Sequence, residues 1–397
     1  MAGVSFARLR PVLIVGLLAI LVGSLALSRC SSQPEAVRKP VVAPAKTAVA
    51  KPTPPPFTAK GMPAELAAVI KPLYFGGVVP SSRSAAKVLH MRKPVKATGS
   101  VVVSGAVASW KGVPIAVVTR GKDVTLAVKA PKWKVVGGWW PSIGVSAPSL
   151  GGTSRRVLVV GSDARKGQSA DRSRADSLHI VGYDGHGGGG IVGIARDSYV
   201  PLASGGRGKI NAALVFGGPV SLQRTVTSAT GVPLDGYLLT GFDGFRKLIN
   251  GLGGLPVNVP VAIKDKDAQA NIKAGLGKLT GPEALAYGRA RHTVVGGDFG
   301  RSVNQGRLIQ AAGGLVKLAG PSKLPRLLQT VGGRVGTNMS AEQVLTLAAG
   351  AYLTNPGKVK NKVAAGGFGM TSDGQSIVLW DANARHLFAD IKNGNLS

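Results

Sequence analysis

The chain has 397 residues, 44% of them hydrophobic, which is enough for one substantial core and a smaller second one. Its formal charge is +31, from 49 Lys and Arg against 18 Asp and Glu, and such an excess attracts polyanions without specifying a fold. Cys30 is its one cysteine, which excludes a disulfide within the chain and any cysteine-built metal centre.

Arg8 and Arg10 precede an apolar run over residues 11–27, closed by Ser28 and Arg29. The run is at the lower limit for a membrane-spanning helix, and the positive charge ahead of it keeps the N-terminus cytoplasmic. The favoured reading is an uncleaved single-pass anchor over 11–28 behind a cytoplasmic tail over 1–10, with everything after it outside the membrane. A cleaved signal peptide and a lipidated Cys30 are the alternatives. Against them, Arg29 stands where lipidation needs a small residue, and no small-x-small cleavage site follows. Residues 29–56 are Pro, Ala, Lys and Val with Pro54, Pro55 and Pro56 in a row, the composition of an extended, solvated tether. Residues 57–150 carry short β-branched runs at 100–107, 114–119 and 124–128 with a hairpin turn over 120–123, and predict a small, mostly β accessory domain. Trp139 and Trp140 end it. Such a pair can stack on sugar rings, but a core or an interdomain seam is the favoured place for it.

From Arg155 onward, strand-like and helix-like segments alternate, which predicts α/β layers around one sheet in a main domain over 151–397. Strands are expected over 156–161, 177–183 and 191–195, the last two joined by a glycine-rich hairpin loop at 184–190. Helices are expected over 218–229, 242–252, 281–287, 299–319 and 340–353, with strands near 236–239, 256–259 and 375–379. The strand at 375–379 is expected to join the same sheet, and Asn211 to cap the helix that follows it.

Acids and arginines recur where strands end, the place at which α/β sheets hold ligands. They are Gly161-Ser162-Asp163-Ala164-Arg165, Arg174-Ala175-Asp176, Ala195-Arg196-Asp197, and the dense stretch Arg289-Ala290-Arg291-His292. In the helix after it, Asp298, Arg301, Gln305 and Leu308 fall within one quadrant at 3.6 residues per turn, giving one face a carboxylate, a guanidinium and an amide. Each residue alone is better explained as a cap or a solvated surface group. Together, the use of Arg in a chain that spends Lys freely points to bidentate grip on phosphate oxygens. Aspartates without cysteine or a histidine cluster are hard oxygen donors suited to Mg²⁺ or Mn²⁺ beside a diphosphate.

The ordered motifs resemble the LytR-CpsA-Psr family of wall glycopolymer ligases. They are Gly161-Ser-Asp-x-Arg165, Arg174-x-Asp-Ser177, Arg196-Asp-x-Tyr-Val-Pro201, Lys209-Ile-Asn-Ala-Ala213, Leu279-x-Gly-x-x-Ala-Leu-x-Tyr-x-Arg-x-Arg-His292 and Gly296-Gly-Asp-Phe-Gly-Arg-x-x-x-Gln305, over about Arg155 to Leu318. The resemblance implies an α/β/α sandwich around a mixed central sheet, with a hydrophobic groove for a polyprenyl tail. Candidates to line the groove are Leu214, Val215, Phe216, Phe245 and Leu248. It also implies that Asp163 and Asp176 hold the metal, that Arg174, Arg289, Arg291, Arg301 and Gln305 grip the diphosphate, and that Arg196 and Asp298 pair at the reacting centre. Ala195, Ser177 and Asn304 depart from the residues usual in the family; by helical phase Asn304 points away from the Arg301 face.

The implied activity is transfer of a phosphoglycan from a polyprenyl-diphosphate carrier to peptidoglycan, with the membrane, the lipid-linked glycan and peptidoglycan as partners. Hydrolysis of the same diphosphate needs the same residues, and a non-catalytic wall-binding or regulatory role is the rival of another class. Charge alone suggests nucleic acid; the export signal argues against it.

Overall fold

The structure is a computed structural model that describes residues 56–95, 100–152 and 154–397. The expected cytoplasmic tail, membrane anchor and Cys30, and all but the end of the expected tether, lie outside the described residues. Among the described residues no helix is long and apolar enough to cross a membrane.

The first layer is a six-stranded sheet. Its elements are β1 (Phe57–Lys60), α1 (Ala64–Phe75), α2 (Arg83–Leu89), β2 (Val101–Trp110), β3 (Val113–Arg120), β4 (Asp123–Lys129), β5 (Trp133–Trp140) and β6 (Val145–Ser149). The strands lie in sequence order, with β1 parallel to β2 and the rest antiparallel; Arg120 faces Asp123 across the expected turn. Alternation along the strands feeds two cores. Val101, Val103, Ala116, Val118 and Trp140 face α1 and α2, while Ile115, Val117, Leu126 and Trp139 face helices from the C-terminal part of the chain. The paired tryptophans divide between these two roles. Trp140 is fully buried and donates its indole N–H to Thr125 Oγ1 at 2.8 Å, whereas Trp139 stacks on Tyr352 with ring centres 6.1 Å apart.

The main sheet is built from β7 (Arg155–Ser162), β8 (Ala175–Tyr183) and β9 (Gly189–Ile194). Next come the short β10 (Tyr199–Pro201) and β11 (Arg207–Lys209), α3 (Ala212–Thr230), β12 (Gly236–Thr240) and α4 (Phe242–Gly251). After them lie β13 (Leu255–Val259), β14 (Ile263–Asp265), β15 (Ala270–Ile272), β16 (Gly275–Leu279), α5 (Gly281–Arg289) and α6 (Gly297–Ala319). The chain ends with α7 (Leu324–Gly332), α8 (Ala341–Leu353), β17 (Val359–Ala364), β18 (Gly366–Met370), β19 (Ser376–Trp380) and α9 (Ala382–Asp390). The strand order is β12-β7-β8-β9-β17, with β8 antiparallel to its neighbours and the other four strands parallel to one another. Leu158, Val160, Leu178, Ile180, Val192 and Ile194 point to one face, where α3 and α9 cover them. The other face carries α6 and α4. This is the expected α/β/α sandwich with a mixed sheet.

Three expectations need correction. The strand near 375–379 does not enter the main sheet: β19 pairs with β18 in a separate hairpin that touches Ser198 through a single β-bridge at Val378, and β17 occupies the free edge of β9. The helix expected from residue 218 starts at Ala212 and continues through a kink, where Gly218 takes φ +71° ahead of Pro219, which supplies no amide hydrogen. Asn211 precedes that helix but makes no side-chain cap; its backbone is itself helical, so its side chain is not presented to the first-turn amides.

Helix α6 lies close on β8 and β9 because Gly193 has no side chain. A Cβ there would collide with Ser302 Oγ and come within 3.2 Å of His179 Nε2. His179, opposite Gly193 in the sheet, is fully buried and bonds through Nε2 to the Ser302 carbonyl at 3.0 Å, and its Nδ1 lies 3.3 Å from Ser177 Oγ. A carbonyl only accepts, so the proton sits on Nε2 and the Ser177 hydroxyl donates to Nδ1. Burial pulls the His179 pKa down to about 4.

Candidate functional site

Four parallel strands end at the same side of the sheet, and β8 begins there. Gly161 and Ser162 from β7, Asp176 and Ser177 from β8, Arg196 after β9, and Thr240 and Gly241 after β12 are therefore gathered at one rim. They surround a cavity of about 440 Å³. Its inner wall is apolar, formed by Phe242, Phe245, Ile249, Leu285, Leu308 and Ile309 from α4, α5 and α6. Of the residues expected to line a groove, Phe245 does so. Leu214 is in the core beneath α3, Leu248 packs toward the first layer, and Phe216 stands 69% exposed. Apolar residues on a helix carry no sign in the sequence of which neighbour they will meet.

At the mouth of the cavity the charged groups form a connected set. Arg196 Nη1 is 2.8 Å from Asp176 Oδ1, and its Nε lies 3.6 Å from Asp197 Oδ2 and 3.7 Å from Asp298 Oδ2. Asp298 also meets Arg301 Nη2 at 3.2 Å and Arg291 Nη1 at 3.9 Å, and Lys209 pairs with Asp197 at 3.2 Å. Burial works against the charge of Arg196, but the Asp176 hydrogen bond and the three aspartates outweigh it and hold the guanidinium above its ordinary pKa. Burial dominates at Arg301, which is 8% exposed and has its pKa lowered. The Nε–H groups of both Arg196 and Arg301 are buried without a hydrogen-bond partner. The Nε–H of Arg196 already faces the Asp197 and Asp298 carboxylates, at 3.6 and 3.7 Å, just beyond hydrogen-bond distance.

Arg174, Arg196, Arg289, Arg291, Arg301 and Gln305 all line the cavity, and so does Asp176. Asp298 touches three of these arginines from just outside the lining. Arg289 is steadied by the face of Phe242, 5.2 Å from its guanidinium carbon. Gln305 Nε2 donates to the Gly288 carbonyl at 2.9 Å, which ties α6 to the end of α5 beside Arg289. As the helical phase predicts, Asn304 does not line the cavity; its carbonyl accepts from Arg307 at 2.7 Å.

Asp163 takes the Arg174 backbone N–H at 2.9 Å and Arg174 Nε at 3.1 Å, closing the loop between β7 and β8. Among the described residues no three of His, Cys, Asp and Glu gather as a metal cluster. Two carboxylates do suit Mg²⁺, which takes one or two from protein and the rest of its shell from phosphate and water. Asp163 and Asp176 offer hard oxygens of this kind, and each keeps about a quarter of its side chain exposed, 23% and 24%.

Asp265, a residue the sequence reading passes over, positions the arginine turn. It is 3% exposed, and its carboxylate accepts the backbone N–H groups of Ala268 at 3.1 Å, Arg291 at 2.9 Å and His292 at 3.1 Å. Burial raises its pKa, but these three bonds outweigh it and leave the carboxyl below its ordinary value. Its sequence context, Lys264-Asp265-Lys266-Asp267, reads as a solvated charge run, and nothing local reveals partners 26 residues away.

Known proteins resemble this chain in sequence and fold. The Staphylococcus aureus (strain COL) protein named Regulatory protein MsrR is 34% identical over 189 residues, 46% of this chain and 56% of its own length. The probable cell wall biosynthesis protein LcpB of Corynebacterium glutamicum is 31% identical over 251 residues, 59% of this chain and 60% of its own. The polyisoprenyl-teichoic acid–peptidoglycan teichoic acid transferase TagV of Bacillus subtilis is 35% identical over 203 residues, 48% of this chain and 51% of its own. The chain thus spans between about half and three-fifths of the length of the curated relatives it matches. The crystal structure of B. subtilis TagV superposes with a TM-score of 0.53 at 28% identity, over 62% of this chain and 98% of that one. That of protein gbs0355 from Streptococcus agalactiae shares the fold, with a TM-score of 0.52 at 23% identity over 62% and 90%. The LytR_cpsA_psr family model matches residues 145–389, and the chain belongs to that family.

Proposed function

We propose that the chain transfers a phosphate-linked glycan from a polyprenyl-diphosphate carrier to a hydroxyl of peptidoglycan, acting on the outer face of the membrane in which residues 11–28 anchor it. The observation that carries this reading is the junction of an apolar cavity of about 440 Å³ with five arginines at its mouth, two of them with unmet buried Nε–H donors. A polyprenyl diphosphate has that polarity: an apolar chain joined to two phosphates. The likeness to TagV, named as a teichoic acid transferase, supports the same class of reaction.

In the proposed step, the acceptor hydroxyl oxygen forms a bond to the sugar-linked phosphorus. The bond from that phosphorus to the bridging oxygen breaks, and polyprenyl phosphate leaves with the electron pair. The hydroxyl proton passes to Asp298. Arg174, Arg289, Arg291 and Arg301 hold the diphosphate oxygens, with Gln305 fixing the turn that carries Arg289, while Arg196 faces the transferred phosphoryl group. Phosphoryl transfer needs alignment and charge neutralisation more than covalent help, and fixed guanidinium groups in a partly buried site supply both. A divalent cation, Mg²⁺ or Mn²⁺, held by Asp163 and Asp176 would neutralise further charge on the two phosphates.

The test is incubation of the full chain with a short-chain polyprenyl-diphosphate sugar and a soluble peptidoglycan fragment, with products identified by mass spectrometry. A sugar–phosphate–peptidoglycan phosphodiester is expected. Release of sugar phosphate to water alone would make the chain a hydrolase, and an intact donor would leave it a binding or regulatory protein.

A further inference from the structure

The C-terminal hairpin takes no part in the chemistry above, yet it stands beside it. β17 is parallel to β9, so it ends at the same rim as Arg196, and β18 departs from there. Two hydrogen bonds fasten the hairpin to the residues after Arg196. The Val378 N–H donates to the Asp197 carbonyl at 2.9 Å, and Trp380 Nε1 donates to the buried Ser198 Oγ at 2.9 Å. Its turn is held by Thr371 N–H to the Gln375 carbonyl at 2.9 Å and by Gln375 Nε2 to Asp373 Oδ2 at 2.7 Å.

What this fixed arm displays is apolar. Phe368 is 74% exposed and Met370 70%, and the Phe368 ring lies 5.8 Å from that of Phe299, the residue after Asp298. Neither phenylalanine lines the cavity. β18 reads Gly366-Gly367-Phe368-Gly369-Met370, so Phe368 has no side chain on either side of it along the strand. Glycines weaken a strand and mark close approach of a ligand or another backbone; Gly366 meets the Leu379 carbonyl across the hairpin, while Gly367 faces open space beside Phe368. An exposed ring on a rigid arm, unshielded by neighbours and adjacent to a reacting centre, suits a flat partner with C–H groups on its face.

We propose that Phe368 and Phe299 form the acceptor subsite, on which a sugar ring of the peptidoglycan strand stacks with its hydroxyl directed toward Arg196 and Asp298. The inference rests on the transferase reading above. It follows from the geometry of displacement, because the attacking and leaving oxygens stand roughly in line at phosphorus. The lipid phosphate leaves toward the apolar cavity, so the acceptor arrives from outside it, and Phe299, next to Asp298, and Phe368 both stand outside its lining. Phe216, also exposed, lies outside the cavity on α3 and serves as the comparison.

The experiment uses the full chain in phospholipid vesicles, with a polyprenyl-diphosphate sugar as donor and a soluble, uncrosslinked peptidoglycan oligosaccharide as acceptor. In Phe368→Ala the KM for the acceptor should rise by about fivefold to tenfold, with the KM for the donor unchanged, as a lost stacking contact dictates. Phe368→Trp should keep the acceptor KM, and Phe216→Ala should leave both constants alone. An unchanged acceptor KM in Phe368→Ala overturns the proposal; a raised donor KM in its place assigns the hairpin to the membrane surface. Saturation-transfer NMR with the same oligosaccharide separates the inference from the reading beneath it. Binding that Phe368→Ala weakens to a similar degree supports the subsite even where no transfer occurs, and a wild-type chain that neither binds nor transfers overturns both.

Discussion

Replacing Arg301 with lysine keeps the positive charge and removes the fork. Arg301 is held by Asp298 at 3.2 Å, is 8% exposed, and has a buried Nε–H with no partner within the protein. If that donor meets a phosphate oxygen, the lysine variant loses one charge-assisted hydrogen bond, worth about 1.5–3 kcal/mol. That corresponds to a fall in kcat/KM of about tenfold to a hundredfold. The ammonium also starts from a lower pKa than the guanidinium, in a place where burial already lowers that of Arg301, so part of the charge itself is at risk. Asp298 keeps Arg196 at 3.7 Å and Arg291 at 3.9 Å, so it is not left as a lone buried charge and the fold should hold. The assay is transfer from a short-chain polyprenyl-diphosphate sugar, beside a urea denaturation midpoint for each protein. A variant that folds normally and works within about twofold of the wild type would mean that Arg301 supports only the helix, and the diphosphate grip would have to be withdrawn.

The buried His179 makes stability depend on pH. Its folded pKa of about 4 lies below its unfolded value, so the unfolded chain takes up a proton that the folded one refuses. Stability is therefore full above the unfolded pKa and falls as pH drops toward 4, by about 3 kcal/mol in all. Urea midpoints between pH 4.5 and 7 should show this slope, and His179→Gln should flatten it. Asp265→Ala strands three backbone donors at about 1–3 kcal/mol each, so it should lower the melting temperature and disorder the Arg289–His292 turn; calorimetry and activity should fall together. Asp163→Asn and Asp176→Asn keep size and lose charge. Turnover and its response to Mg²⁺ should both drop in these variants, and chelator-insensitive turnover with unaffected variants would make both carboxylates structural partners of Arg174 and Arg196.

What the sequence discloses here is what is local. The boxes Thr280-x-x-Glu283 and Ser340-x-x-Gln343 mark the starts of α5 and α8 because each cap bonds to residues three positions away. The strand 156–161 is readable from the unbroken apolar run Val157-Leu158-Val159-Val160 and 177–183 from Leu178, Ile180, Val181 and Tyr183, and the arginines and aspartates at their ends declare a site because strand ends gather. By contrast, β17 reads Val-Lys-Asn-Lys-Val-Ala, too basic to announce a sheet strand, and its partner β9 lies far upstream. α7 was also unmarked: its proline in the first turn resembles a loop as much as a helix start. Partner choice within the site is equally non-local. That Asp163 would close on Arg174, and Asp176 on Arg196, depends on how the β7–β8 loop and the end of β9 meet, which no spacing encodes.

The charge of the whole chain and the charge of the site answer different questions. The excess of +31 attracts any polyanion, and screening by salt weakens that pull beyond roughly 8–10 Å. Inside the site the balance is much closer. Arg174, Arg196, Lys209, Arg289, Arg291 and Arg301 supply six cations, and Asp163, Asp176, Asp197 and Asp298 with Asp265 and Asp267 of the cavity lining supply six carboxylates. Aspartates that pin Arg174, Arg196, Arg291 and Arg301 in fixed directions convert attraction into alignment, which is what the proposed in-line displacement requires. In the proposed reaction, discrimination thus belongs to the fixed directions of these guanidinium groups, and the net charge serves to bring an anionic polymer near.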